Sequence, residues 1–141
     1  MHTRRWRIEI RPIGEIDELE PDWLRMENRA SCSFFQSWFW TRTWLRVLPT
    51  SVEPFCLSLR ADDETVAMGS LVKSGERRHG LIRSRRLFVG ETGVNDLDVI
   101  TVEYGGPLIE PGYENLAPGK ILEGLTDGCS TWDELYLLGL E

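Results

Sequence analysis

Phe34-Phe35-Gln36-Ser37-Trp38-Phe39-Trp40-Thr41-Arg42-Thr43-Trp44-Leu45-Arg46-Val47-Leu48 holds three of the six tryptophans and three of the five phenylalanines of this chain. Ser37 is placed to cap a helix, its hydroxyl accepting from a backbone N–H of the first turn, and Pro49 stops the pattern. The spacing predicts a helix over Trp38 to Leu48. Trp40, Trp44, Val47 and Leu48 fall at i, i+4, i+7 and i+8, one stripe of a 3.6-residue period, with Thr41, Arg42, Thr43 and Arg46 on the other side. Each buried ring of this kind removes ~150–250 Å² from water, so the helix is expected to anchor the core. An aromatic stripe at helical spacing reads as core before it reads as a ligand site.

Working outward, the chain before this helix opens with Trp6, Ile8 and Ile10 alternating with charged residues up to Pro12, which predicts an amphipathic strand. Ile16, Leu19, Trp23 and Met26 share a helical face. Pro21 suits a first turn, which predicts a helix from about Pro21 to Arg29. After the aromatic helix, Phe55, Leu57 and Leu59 alternate with Cys56, Ser58 and Arg60, and Asp62-Asp63-Glu64 turns the chain into an apolar run over Thr65 to Val72, a strand pair. Leu81 to Val89 reads as a third, less regular strand closed by Gly90. Val99 to Val102 reads as a short β-branched run before the turn at Tyr104-Gly105-Gly106-Pro107. Asn115 is the expected cap of a last helix, with Pro118 in its first turn, Ala117, Ile121 and Leu125 on one face, and Gly128 as its stop. Gly119 and Gly124 weaken that helix by roughly 1 kcal/mol each relative to alanine. Leu135 to Leu140 is the expected closing strand. The order β-α-α-β-β-β-(β)-α-β predicts an α/β (α+β) fold, one mixed and mostly antiparallel sheet flanked by helices.

At 141 residues the chain is expected to be a single domain over 1–141 with a core that needs no staples. Cys32, Cys56 and Cys129 form no metal-ligand spacing, and their odd number speaks against a disulfide framework. A reducing, cytoplasmic setting is expected, with no leader and no apolar run near the ~18 residues of a membrane span. The net charge of −7 is uneven. Residues 1–90 carry 15 Lys+Arg against 12 Asp+Glu, a balance of +3, whereas residues 91–141 carry Lys120 against 11 acids, a balance of −10. That acidic third repels polyanions, so nucleic acid is not an expected partner.

Phe35-Gln36-Ser37 followed by Trp40 and Trp44 resembles the Phe-x-Ser/Thr-x-x-Trp-x-x-x-Trp opening of the second helix in GNAT-fold acetyltransferase-like proteins associated with cellulose biosynthesis, relatives of the tandem-GNAT Fem-type transferases. Leu57 to Asp63, Arg86-Leu87-Phe88-Val89-Gly90, Asp96-Leu97-Asp98-Val99-Ile100 and Trp132-Asp133-Glu134-Leu135-Tyr136-Leu137 resemble further segments of that family in the same order. These motifs are mostly packing features. The resemblance implies a GNAT-like fold and an acyl-CoA-dependent N-acyltransferase, with acetyl-CoA or another acyl-CoA as cofactor. It also implies two such units per protein, this chain ending near the point where the first hands over to the second. The expectation is therefore the N-terminal, non-cofactor half of a tandem unit, shaping an acceptor site. A second GNAT-like domain or a second copy would cover the face around Leu135 and Leu137. The alternative is a degenerate, non-catalytic GNAT-like module for assembly or partner binding.

By the same resemblance, acyl-CoA pyrophosphate would sit on backbone N–H groups of a Gln/Arg-x-x-Gly-x-Gly/Ala turn at a helix start. Here the corresponding segment is Asn115-Leu116-Ala117-Pro118-Gly119-Lys120. Gly119 and Lys120 are the residues left to contact a cofactor. Pro118 removes a donor, and Glu110, Glu114 and Glu123 repel phosphate, so the chain alone is expected not to bind acyl-CoA. Glu103, at the end of the strand that in GNAT folds faces the acyl-transfer centre, is the candidate general base, with an exposed strand-end glutamate as the plainer reading. His2 and His79 are the only histidines, and His79 reads as part of a solvated turn. Asp96 and Asp98 read as loop caps before they read as a cation site. Arg83, Arg85 and Arg86 offer an anion site or a polar strand face. No metal ligands are assigned.

Overall fold

A computed structural model of the chain describes residues 3–78, 80–93, 98, 106–127 and 132–137. The elements run β1 (Trp6–Pro12), α1 (Ile16–Glu27), a 3-10 turn (Phe34–Gln36), α2 (Trp38–Val47), β2 (Pro54–Ala61), β3 (Glu64–Arg78), β4 (Ile82–Val89), β5 (Leu108–Ile109), α3 (Ala117–Asp127) and β6 (Glu134–Leu137). The sheet order is β1-β2-β3-β4-β6, with β5 pairing on β3. Every pairing is antiparallel except β4 with β6. The mixed, mostly antiparallel sheet flanked by helices is the architecture the sequence predicts, in the predicted order.

Helices cover both faces. On one, Leu57, Leu59 and Ala61 of β2 and Leu87 and Val89 of β4 meet Ala117, Ile121 and Leu125 of α3, with Trp6, Ile8 and Ile10 along the margin. On the other, Cys56 and Met68 meet Leu19, Trp23 and Met26 of α1 and Trp38 and Leu45 of α2. β2 is therefore buried on both sides, and its alternation sorts residues between two cores instead of between core and water.

Helix α1 begins at Ile16, a turn before the predicted Pro21, and ends at Glu27 instead of Arg29. Starting early puts Ile16 beside Leu19, Trp23 and Met26 against the second core. Burying that face outweighs the hydrogen bond that Pro21 cannot donate inside the helix. Helix α2 keeps its predicted start, with Ser37 Oγ accepting from the Trp40 N–H at 3.3 Å. Glu27 adds a second cap, accepting from the Trp38 N–H at 2.7 Å.

The buried stripe of α2 differs in part from the predicted one, since Trp44 and Leu48 do pack half-buried against the second core. Trp38, Thr41 and Leu45 face the core, Thr41 is 5% exposed, and Val47 is 64% exposed. Trp40 is half-buried and belongs to a separate aromatic group, edge-on to Phe35 at 5.1 Å and tilted to Phe34 at 5.5 Å. Gln36 fixes this arrangement. Its side chain accepts from the Ser33 N–H and donates to the carbonyls of Gly106 and Pro107, while its own carbonyl accepts from the Trp23 indole. The Phe35-Gln36-Ser37 motif is thus a structural staple that ties the start of α2 to the approach of β5.

β3 continues to Arg78, beyond the predicted Val72, and β5 is a two-residue strand the sequence did not announce. It lies on β3 opposite Ala67 and Met68, in the lane that β4 leaves free. Pro107 reaches β3 because Gly69 has no side chain: a Cβ there would stand 3.1 Å from Pro107 Cβ. The predicted run over Val99–Val102 and the stop at Gly128 lie outside the described residues.

Candidate functional site

The start of α3 is where the sequence places any cofactor contact. The turn before it engages the helix donors in advance. Tyr113 O accepts from both Leu116 N–H (3.0 Å) and Ala117 N–H (2.7 Å), and Leu116 O accepts from Lys120 N–H (3.1 Å). Pro118 has no N–H. Among the described residues, Gly119 is the only one of the first four helical positions whose N–H has no backbone partner. Tyr113 is itself held from the far end of the chain: Arg4 donates to its hydroxyl at 2.6 Å and lies over its ring, and Trp6 meets the ring edge-on at 6.1 Å.

Lys120 is bound to Glu123 at 2.6 Å, so its charge is matched locally. Glu114 accepts from the Gly112 N–H at 2.7 Å, and Glu110 lies 3.7 Å from Arg29. A pyrophosphate needs several converging N–H donors and an uncompensated positive field. One N–H and one neutralised lysine do not make such a cradle, and this site does not fit the diphosphate of an acyl-CoA.

Beside it lies an apolar cleft of about 240 Å³, bounded by Val89, Pro107, Pro118, Ile121, Leu122 and Leu135, with Gly119 at its lip. Among the described residues no charged side chain lines it. Chemically its described lining can take an aliphatic group or an apolar side chain.

A second concavity, of about 340 Å³, opens on the opposite face between α1, β1 and the β2–β3 hairpin. Arg11 and Arg25 share the Asp22 carboxylate at 3.2 and 3.1 Å. Arg29 donates to Thr65 O at 2.7 Å, Arg60 donates to the Asp63 carbonyl, and buried Ser58 lies on the floor. Guanidinium and carboxylate groups interleave around this basin, which suits a polar ligand carrying both a donor and an acceptor group. Nothing in the sequence announces it, because its arginines are scattered between positions 11 and 60 and only the β1–β2 register and the end of α1 bring them together.

Of the other residues singled out by sequence, Glu103, Asp96, His2 and His79 lie outside the described residues. Asp98 caps a loop, accepting from the Thr92 N–H and hydroxyl and from the Gly93 N–H at 2.8–3.1 Å, in line with the plainer of its two readings. It also raises the carboxyl of Glu91 above the ordinary range, adding its charge to the larger effect of Glu91's own burial. Sequence reasoning passed over Glu91 because it stands seven positions from Asp98 with no periodic pattern linking the two. Arg85 is committed to Asp133 through two side-chain bonds of 3.2 and 3.1 Å and its own N–H at 2.8 Å. These bonds hold the Asp133 carboxyl below its usual value. Arg86 lies over the Phe88 ring at 5.2 Å, on the opposite face of β4 from Arg85, so the two neighbouring arginines do not converge on one anion site. Among the described residues no cluster of His, Cys, Asp and Glu could hold a metal, and no helix is long and apolar enough to cross a membrane.

No protein-family model and no curated protein matches the chain. A search of solved structures finds similarity to an apo aminoglycoside 6'-N-acetyltransferase of Acinetobacter haemolyticus. It covers 94% of this chain and 81% of that one, at 16% identity and a TM-score of 0.39. At that level the similarity assigns no role to any residue here.

Proposed function

We propose that this chain is a GNAT-like domain that does not itself hold an acyl-CoA. In this reading it is the N-terminal, non-cofactor half of a tandem N-acyltransferase, and it completes an acceptor site for a second GNAT-like domain or a second copy. The observation that carries the proposal is the start of α3, where Tyr113 O and Pro118 leave a single N–H and Glu123 holds Lys120. The strand order and the motifs around Phe35, Ser37, Trp40 and Trp44 support the GNAT-like part. The interleaved charges of the basin around Arg29 and Arg60 suit a polar acceptor, and the apolar cleft beside Leu122 and Leu135 suits the covering domain. One observation favours the alternative, a non-catalytic assembly module: among the described residues no charged side chain lines the cleft.

Isothermal titration of the purified chain with acetyl-CoA tests the central claim. No saturable heat is expected up to a concentration of about 1 mM. Micromolar affinity that disappears in Lys120→Glu would overturn it and restore the start of α3 as a cofactor site.

A further inference from the structure

β1 stands at one end of the strand order, with β2 along one side of it. Asp62 N–H donates to Arg5 O at 2.7 Å and Ile13 N–H to Pro54 O at 3.0 Å, so the odd-numbered residues of β1 direct their backbone groups at β2. The N–H and C=O groups of Trp6, Ile8 and Ile10 therefore point to the other side, where they have no partner among the described residues. An edge of this kind is a template for another strand unless it is blunted. Pro12 blunts its far end, where one N–H is missing. Between Trp6 and Pro12 the register runs without a bulge.

The side chains of this edge are complementary to themselves. Trp6, Ile8 and Ile10 lie on the α3 face, half-buried at the margin of the first core. Arg7 and Glu9 lie on the opposite face, 2.8 Å apart. A second β1 laid antiparallel along the edge, with a twofold axis at Ile8, sets Arg7 against the partner's Glu9 and Glu9 against the partner's Arg7. On the α3 face it sets Trp6 against the partner's Ile10 and Ile8 against the partner's Ile8, the aromatic and β-branched pairings that stabilise a sheet. Because Trp6, Ile8 and Ile10 all point outward, each of those rows closes with both of its backbone hydrogen bonds. Moving the axis by one residue in either direction places Arg7 on the partner's Arg7 or Glu9 on the partner's Glu9, both unfavourable. The shift toward Glu9 also brings the partner's Pro12, which has no N–H, opposite Trp6. In the register on Ile8 the flanking row sets Arg5 against the partner's Arg11, whose charge Asp22 already matches at 3.2 Å.

We propose that this chain forms a twofold dimer through β1, in the register centred on Ile8, joining two sheets into one. The seam lies at the opposite end of the strand order from β6, so it leaves the apolar cleft beside Leu135 to a covering domain. An unrelated extended peptide would find the same backbone groups but not the paired charges.

Sedimentation equilibrium of the full chain tests the mass, and backbone hydrogen exchange tests the seam. A species of twice 16.2 kDa is expected by about 0.1 mM. Dilution should speed exchange at Ile8 and Ile10, while Arg7 and Glu9, bonded to β2, stay protected. Arg7→Glu and Glu9→Arg should each weaken the dimer about tenfold or more, because each turns two attractive rows into repulsive ones. An equimolar mixture of the two variants should restore it, since glutamate then meets arginine in both rows, a recovery that misfolded chains cannot give. The inference is overturned by a chain that stays monomeric at about 0.1 mM, by a dimer that both variants keep at parental strength, or by a loss that mixing does not repair.

Discussion

Trp38 and Trp40 sit two residues apart in one helix and should respond very differently to truncation. Trp38 is 5% exposed and packs on Trp23 at 6.2 Å within the second core. Burying ~150–250 Å² at about 25 cal/mol per Å² gives an upper bound near 4–6 kcal/mol, and large-to-small core changes at tryptophan cost about 3–5. Trp40 is half-buried among Phe34 and Phe35, outside both cores. Its truncation should cost about 1–2 kcal/mol, chiefly the edge-on ring contacts and part of the ring's area. At about 3 °C per kcal/mol for a domain of this size, Trp38→Ala lowers Tm by roughly 9–15 °C and Trp40→Ala by roughly 3–6 °C. Urea unfolding followed by far-UV circular dichroism reads both differences without depending on tryptophan emission. The Trp38 indole N–H is buried with no partner among the described residues. Trp38→Phe, which removes that donor, is therefore expected to cost less than its loss of volume alone implies. Equal destabilisation by the two alanine variants, or a larger effect at Trp40, would refute the assignment of the buried stripe to Trp38, Thr41 and Leu45.

The two glycines of α3 give opposite signs. A Cβ at Gly119 meets nothing within 4 Å, so Gly119→Ala should gain about 0.5–1 kcal/mol in thermal melts from helix propensity. A Cβ at Gly124 would stand 2.7 Å from Ile8 Cγ2, so Gly124→Ala should lose about 1–3 kcal/mol despite that propensity; a gain at both positions would show that α3 does not lie on β1 as described. Asp133, with its pKa depressed by the hydrogen bonds from Arg85, contributes stability above its ordinary value near 3.8 and loses it as pH falls through the lower folded value. Asp133→Asn should therefore lower the urea midpoint slightly at neutral pH, and the gap from the parent should close in the acid range below 3.8. A gap that widens in acid would contradict the sign.

Element order was legible because strands and helices here differ in period, and because Ser37, Pro12, Asp62-Asp63 and Gly90 punctuate them. The facing of α2 was not. Aromatic residues lie on several sides of that helix, so periodicity alone does not select a stripe. The choice is made from outside, by Glu27 on the Trp38 N–H and by Gln36 holding the preceding turn. Thr41 shows the cost of pattern reading, a polar residue buried because its neighbours on the same face are Trp38 and Leu45. Pro21 misled in the other direction, since a preference for first turns yielded to the burial of a longer apolar face. The outer half of β3 has charges where a strand pattern would show apolar alternation, and it is held by its ladder with β4. The chemistry at the start of α3 could be read directly, because Pro118, Lys120 and Glu123 act on one another within a turn. The arginine basin could not, because it exists only where four elements meet.

The seat of Ile8 against Gly124 has a kinetic corollary. The hairpins β2–β3 and β3–β4 close over short loops and need little from the rest of the chain, whereas this contact joins the first strand to the last helix. Closing long loops costs entropy that only later contacts repay. The order of assembly that follows is central hairpins first, then β1 along β2, and last α3 settling over β1 with β6 alongside β4. In hydrogen exchange, amides of α3 should open before those of β2 and β3. Ile8, which meets Gly124 in the last contact to form, should then affect unfolding rates far more than folding rates.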